Sequence, residues 1–212
     1  MKAISMSQYQ YKSLTCKLQV GDFFCCKYKY SRMIYTTNRL IIRKWKEADA
    51  QDLYEYCSDS EVTKYLTFLT YTTMAEAVTR IKAMHQLYCT GTKDAQIDFA
   101  IELKATGKVI GSIGFMGYNN KSETIELGYV LNPKFQGQGY MTESLKGMIA
   151  YIKDNEIALY IEAKCDTANK QSGKVMERAG MTYQGIRKGA GNYNSGNGVD
   201  VMVWSIKALQ NN

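Results

Sequence analysis

The sequence predicts an α/β domain of the α+β type, built on a mixed, mostly antiparallel sheet. Three observations lead there. Strand-like segments at 98–103, 108–115 and 124–131 follow one another through short polar turns, two amphipathic helices precede them, and a helix–strand alternation follows. The first strand is read at 40–43 within "MIYTTNRLIIRKW", where β-branched residues are bounded by polar ones. Ala50, Leu53, Tyr54 and Cys57 recur at i, i+3, i+4 and i+7, which marks a helix over 47–57. Met74, Ala77, Val78, Ile81, Met84 and Tyr88 mark a second. "TKYLTFLTYTT" between them reads as a loop or a short helix. Thr106-Gly107 in "KATGK" supplies hairpin turn chemistry, and "YNNKSE" makes the next turn before "TIELGYVL". A helix over 142–155, a strand at 158–165, a short helix at 172–179 and strands at 181–186 and 199–206 complete the order.

Residues 1–32 show no sustained helical or strand period and are read as a peripheral extension, with 33–212 as the domain; an upstream start codon is the other reading of that tail. Hydrophobic residues at 45% and charged ones at 22% suit a globular chain with a real core. No run approaches the ~18 apolar residues of a membrane span. The formal charge is +7, yet residues 1–32 hold six basic side chains against Asp22 alone, leaving the other 180 residues close to balance. That argues against an extended phosphate-tracking surface and against nucleic acid as a partner. Cys16, Cys25, Cys26, Cys57, Cys89 and Cys165 form no CxxC pair, and the single histidine, His85, completes no metal spacing. No metal is expected, and reduced thiols in a cytoplasm are the simpler account.

The stretch "FQGQGYMTES" places Gly137 and Gly139 between the end of a strand and the start of a helix. Helix starts expose unpaired N–H groups and partial positive charge, so a bare turn there lets the main chain approach a phosphate closely. A Walker A loop fails, because Tyr140-Met141 follow Gly139 where Lys and Ser or Thr are required, and the dinucleotide fingerprint fails at Thr142. On the two glycines alone, a plain turn remains the equal alternative.

"ELGYVLNPKFQGQGYMTESL" resembles the acetyl-CoA-binding signature of the GNAT N-acetyltransferases, in the branch of the ribosomal-protein N-terminal acetyltransferases. "TTNRLIIRKWKEADAQDLYEY" resembles that branch's opening strand and helix, and "NKQSGKVMERAGMTYQGIRK" its second motif. The resemblance runs over about residues 34–208. It implies a GNAT fold whose fourth and fifth strands lie parallel and splay apart, with acetyl-CoA as the acyl donor. It further implies that main-chain N–H groups of Gln136, Gly137, Gln138, Gly139, Tyr140 and Met141 hold the pyrophosphate. Met141 departs from the family's Gly or Ala, so its side chain is expected to turn into the core beside Leu145. The resemblance also puts the pantetheine and the thioester carbonyl against the main chain of Tyr129, Val130 and Leu131, with Gly128 easing the strand's distortion, and Asn169 beside the coenzyme.

The reaction so implied is direct transfer of an acetyl group to a primary amine, without an acyl-enzyme. It needs a neutral amine, a polarised carbonyl and a proton for the departing thiolate. Glu126 is the candidate base, with an exposed strand glutamate as the alternative. Ser172, where many superfamily members use a Tyr, is the candidate acid, with an ordinary first-turn serine as the alternative. Asn169 also suits a helix N-cap, and both roles can hold. Gly173 stands inside a short helix, where it costs up to ~1 kcal/mol against Ala, and the sequence offers no reason for it.

Cys165 reads as a buried structural thiol and not a nucleophile, and His85 as a helix-flank residue. "YLTFLTY" and "GAGNYNSGNG" are candidates for a substrate mouth, or for ordinary packing. The amine is a protein or peptide N-terminus or a small molecule, and a homodimer is compatible with the sequence. Two other classes stay open at this level: a non-catalytic acyl-CoA-binding sensor module, and a nucleic-acid-associated protein acting through its basic tail.

Overall fold

The computed structural model describes residues 33–90 and 95–209. The extension read at 1–32, with Cys16, Cys25 and Cys26, lies outside them. One eight-stranded sheet carries the domain, comprising β1 (Met33–Thr36), β2 (Leu40–Arg43), β3 (Ile97–Leu103), β4 (Val109–Asn119), β5 (Thr124–Leu131), β6 (Tyr160–Asp166), β7 (Thr182–Tyr193) and β8 (Gly196–Lys207). Their order across the sheet is β1-β2-β3-β4-β5-β6-β8-β7. Every pairing is antiparallel except β5 with β6, the mixed sheet expected. The helices are α1 (Ala50–Cys57), α2 (Ser60–Thr63), α3 (Met74–Thr90), α4 (Tyr140–Asp154) and α5 (Lys170–Arg178), with short 3-10 turns at Glu47–Asp49 and Pro133–Phe135. Among the described residues no helix is long and apolar enough to cross a membrane.

Each apolar period finds its place in the core. α4 buries Met141, Leu145, Met148, Ile149 and Ile152, an apolar stripe at i, i+4, i+7, i+8 and i+11. α3 buries Ala77, Ile81, Met84 and Tyr88. In α1 the buried aromatic is Tyr56, while Tyr54 stays half-buried and donates its hydroxyl to the Thr72 carbonyl at 3.3 Å. Gly173 packs closely on β8: a Cβ there would stand 3.3 Å from Met202 Cε, which would have to give by a few tenths of an ångström, and at an ordinary 3.7 Å from Trp204 Cζ2.

Two features differ from the reading by period. β1 is an additional strand, paired to β2 through an irregular register near Tyr35. β7 and β8 run twelve residues each, where shorter strands were expected, because the glycine-rich segment between them pairs with itself through repeated bulges.

α1 is tied to the sheet by charge. Glu55 accepts from Lys108 Nζ at 2.7 Å, Lys134 Nζ at 2.8 Å and Asn132 Nδ2 at 3.3 Å. The Lys108 and Lys134 bonds lead in holding its carboxyl down to about 2. An unfolded glutamate titrates near ~4.3, so this stabilisation is complete above that pH and is lost as pH falls toward 2. Acid unfolding followed by circular dichroism is expected to be shallower across that window in Glu55→Gln than in wild type; equal slopes would remove Glu55 from the account.

Candidate active site

The site opens where β5 and β6 part. Their pairing begins at Thr124 with Tyr160 and ends at Leu127 with Ala163. Beyond that, β5 continues to Leu131 against β4, and β6 continues to Asp166 against β8. Gly128, Tyr129, Val130 and Leu131 therefore border a cleft on the β6 side, and all four are half-buried. The distortion sits in β4, where a bulge falls between Phe115 and Gly117 opposite Leu127 and Glu126. A Cβ at Gly128 would meet Met116 Cγ at 2.7 Å, so its bareness makes room for the bulged side chain.

The chain then enters the glycine turn. Asn132 is buried and caps Lys134 N–H at 3.0 Å, Pro133 opens the 3-10 turn, and Gln136 Nε2 folds back to the Leu131 carbonyl at 3.4 Å. Gly137 and Gly139 both adopt left-handed backbone, at φ 76° and 79°, a region that L side chains enter only at a cost. Gly139 is the N-cap residue of α4 and places no side-chain acceptor on the helix start. The N–H groups of the first turn thus meet no capping side chain, at the positive end of a fifteen-residue helix that follows the end of β5. Met141 is buried, as its expected turn into the core requires.

Pins from distant elements hold both sides of this turn. Glu55 grips Asn132 and Lys134 at its entrance. At its exit Arg39 bonds Glu143 through Nε at 2.6 Å and the Gln138 carbonyl through Nη1 at 3.0 Å. Burial works to raise the Glu143 carboxyl, but the bonds from Thr37 and Arg39 outweigh it and keep it low. Sequence reading found neither pin, since the partners of Glu55 and Glu143 lie some fifty to a hundred residues away.

Across the cleft, α5 begins with Asn169, whose side chain accepts from Ser172 N–H at 3.2 Å, the N-cap role. Ser172 Oγ lies 2.9 Å from the Tyr129 hydroxyl, which also donates to the Ser172 carbonyl at 3.1 Å. Tyr129 was expected to contribute main chain alone; its side chain also spans from β5 to α5. Burial pushes its phenol up, with the Ser172 bond pulling the other way. Cys165 is free and buried, and burial raises its thiol against bonds from Ser172 and the Gly173 N–H, the setting of a structural cysteine. His85 bonds the Trp45 carbonyl through Nε2 at 2.8 Å, outside the cleft.

Glu126 is the last β5 residue but one before the split and is neither free nor alone. Lys164 Nζ stands 2.5 Å from its carboxylate and 3.2 Å from Glu162, which also pairs with Arg187. The Glu126 side chain is 34% exposed, so water reaches it. Tyr193, on the β7–β8 hairpin, has its phenol pushed up to about 12 by burial first, then by Glu126, Cys165 and Asp166. The hairpin tip also meets the α2–α3 loop. Asn194 N–H donates to Leu66, Ser195 N–H to Lys64, and Asn194 Nδ2 to the carbonyls of Thr63 and Phe68 at 3.0 and 2.7 Å. Ser195 Oγ reaches buried Asp166 at 2.8 Å. The two stretches singled out as a mouth are therefore laced together on the Glu126 side of the cleft.

Comparison with known proteins places this geometry. Residues 39–182 match the acetyltransferase (GNAT) domain model. The chain is 30% identical over 172 residues to an uncharacterised N-acetyltransferase, p20, of Bacillus licheniformis, covering 80% of this chain and 93% of that one. A crystal structure of a GNAT-family acetyltransferase from Bacillus anthracis superposes with a TM-score of 0.70 at 28% identity, covering 82% of this chain and 97% of that one. RimL, a ribosomal L7/L12 alpha-N-protein acetyltransferase in complex with coenzyme A, shares the fold at a TM-score of 0.70 and 21% identity, covering 82% and 97%. A split parallel pair, a left-handed glycine turn at a helix start and a domain match over more than half its length agree: the chain belongs to the GNAT family and is an acetyl-CoA-dependent N-acetyltransferase.

Proposed function

We propose that the protein moves the acetyl group of acetyl-CoA directly to a primary amine, and that the preferred amine is a peptide or protein N-terminus. The observation that carries this reading is the parting of β5 from β6 after Leu127, followed along the chain by a left-handed glycine turn at the uncapped start of α4. Between the parted strands the main chain of Tyr129, Val130 and Leu131 lines the pantetheine and the carbonyl, and the N–H groups of 137–141 hold the pyrophosphate; the Gln136 N–H, expected to join them, is already donated to the Pro133 carbonyl at 3.1 Å. Asn169 orients α5 beside them. An α-amine with a pKa near ~8 is partly neutral at pH 7, whereas a lysine amine near ~10.4 hardly is. A water-exposed carboxylate paired with Lys164 suits the easier task, so Glu126 takes the amine's proton through water. Ser172, bonded to Tyr129, supplies the hydrogen bond and proton to the departing thiolate. RimL, an alpha-N-protein acetyltransferase of the same fold, supports the N-terminal preference.

A thiol-release assay with acetyl-CoA tests this, with peptides bearing free N-termini, N-blocked lysine peptides and small amines as acceptors. Release with the first group alone is the expected result; release with small amines alone moves the substrate to that class, and coenzyme binding without release from any amine favours a sensor module. Glu126→Gln is expected to lower kcat by about tenfold or more at pH 7, and by progressively less above pH ~8, where the amine is already neutral. A defect independent of pH would remove the base role.

A further inference from the structure

The glycine turn does not aim itself. Arg39, on the turn between β1 and β2, makes three contacts with it at once: Nε to Glu143 at 2.6 Å, Nη1 to the Gln138 carbonyl at 3.0 Å, and its guanidinium plane over the Tyr140 ring at 4.3 Å from the centroid. The Arg39 N–H and Thr37 Oγ1 take the other Glu143 oxygen, at 2.9 and 2.5 Å.

Each contact has a consequence for an anion. In a trans peptide the carbonyl and the next N–H point in opposite directions, and every peptide here is trans. Holding the Gln138 oxygen on Arg39 therefore turns the Gly139 N–H to the opposite side of the loop. Glu143, in the first turn of α4, would repel a phosphate at the same helix end; the Arg39 charge and three donors neutralise it. The Tyr140 ring, stacked on the guanidinium, is kept to the Arg39 side.

We propose that Arg39 is a positioning residue for the phosphate-bearing part of acetyl-CoA: from behind the loop it aims the Gly139 N–H and cancels the Glu143 charge. The inference rests on the cradle reading above and extends it to a residue almost a hundred positions away. Its test is selective. CoA affinity is measured by calorimetry, and that of pantetheine, which has no phosphate, by ligand-observed NMR. Arg39→Met is expected to weaken CoA about tenfold and to leave pantetheine unchanged. Arg39→Lys keeps the charge but cannot serve Glu143 and the Gln138 carbonyl with one planar fork, so it shows the same selective loss in smaller measure. Equal weakening of both ligands would reduce Arg39 to a structural residue, and a wild-type affinity in Arg39→Met would overturn its role while sparing the cradle. Wild-type protein that binds pantetheine no worse than CoA would overturn the cradle itself, and this inference with it.

Discussion

Gly139→Val is expected to lower CoA affinity by about ten- to a hundredfold, while Gly139→Asn keeps most of it. The reason is backbone and not space. At φ 79° a Cβ meets only Arg39 Nη2, at an ordinary 3.6 Å, so the volume for a side chain exists. The left-handed conformation itself costs an L-residue roughly 1–2 kcal/mol, more if β-branched, whereas Asn enters it readily. A valine either strains the turn or moves it, and the first N–H groups of α4 lose their common focus. Calorimetry with CoA on both variants checks this. Equal affinities for the two would mean that the conformation does not matter and that the glycines form only a turn.

Ser172→Ala is expected to reduce kcat by about a hundredfold with little change in the KM for acetyl-CoA, the pattern of a lost transition-state interaction. Stability should hardly move, because the Tyr129 hydroxyl keeps its bond to the Ser172 carbonyl at 3.1 Å and is not orphaned. Tyr129→Phe should cost less, and the double variant little more than Ser172→Ala, since the two hydroxyls act as one unit 2.9 Å apart. A kcat unchanged in Ser172→Ala would return Ser172 to the status of a first-turn serine. Thermal melts run beside the kinetics separate that outcome from unfolding.

Local elements were legible in different degrees. β5 runs over the very residues that its pattern marked, and α4 buries all five positions of its stripe, because period and burial are written in neighbouring residues. β1 escaped notice: four residues with two polar members carry too little period, and only the pairing with β2 makes them a strand. The segment 187–198 falls between the strands read at 181–186 and 199–206, yet cross-strand bonding with bulges draws most of it into the sheet. In α1 the stripe pointed to Tyr54, and tertiary packing chose Tyr56.

By itself the sequence determined the α+β class, the main strands and helices, the glycine turn and the family to which they belong. Those are set by spacings of two to four residues and by backbone preferences within a short window. Tertiary structure alone decided that Tyr129 crosses to Ser172, that Lys164 holds Glu126, that the hairpin tip laces to the α2–α3 loop, and that Glu55 and Arg39 brace the turn. These contacts join residues 38 to 131 positions apart. A polar side chain names no partner in its own neighbourhood, and which charge or carbonyl it meets follows only from how the sheet orders its strands and where each helix returns to it.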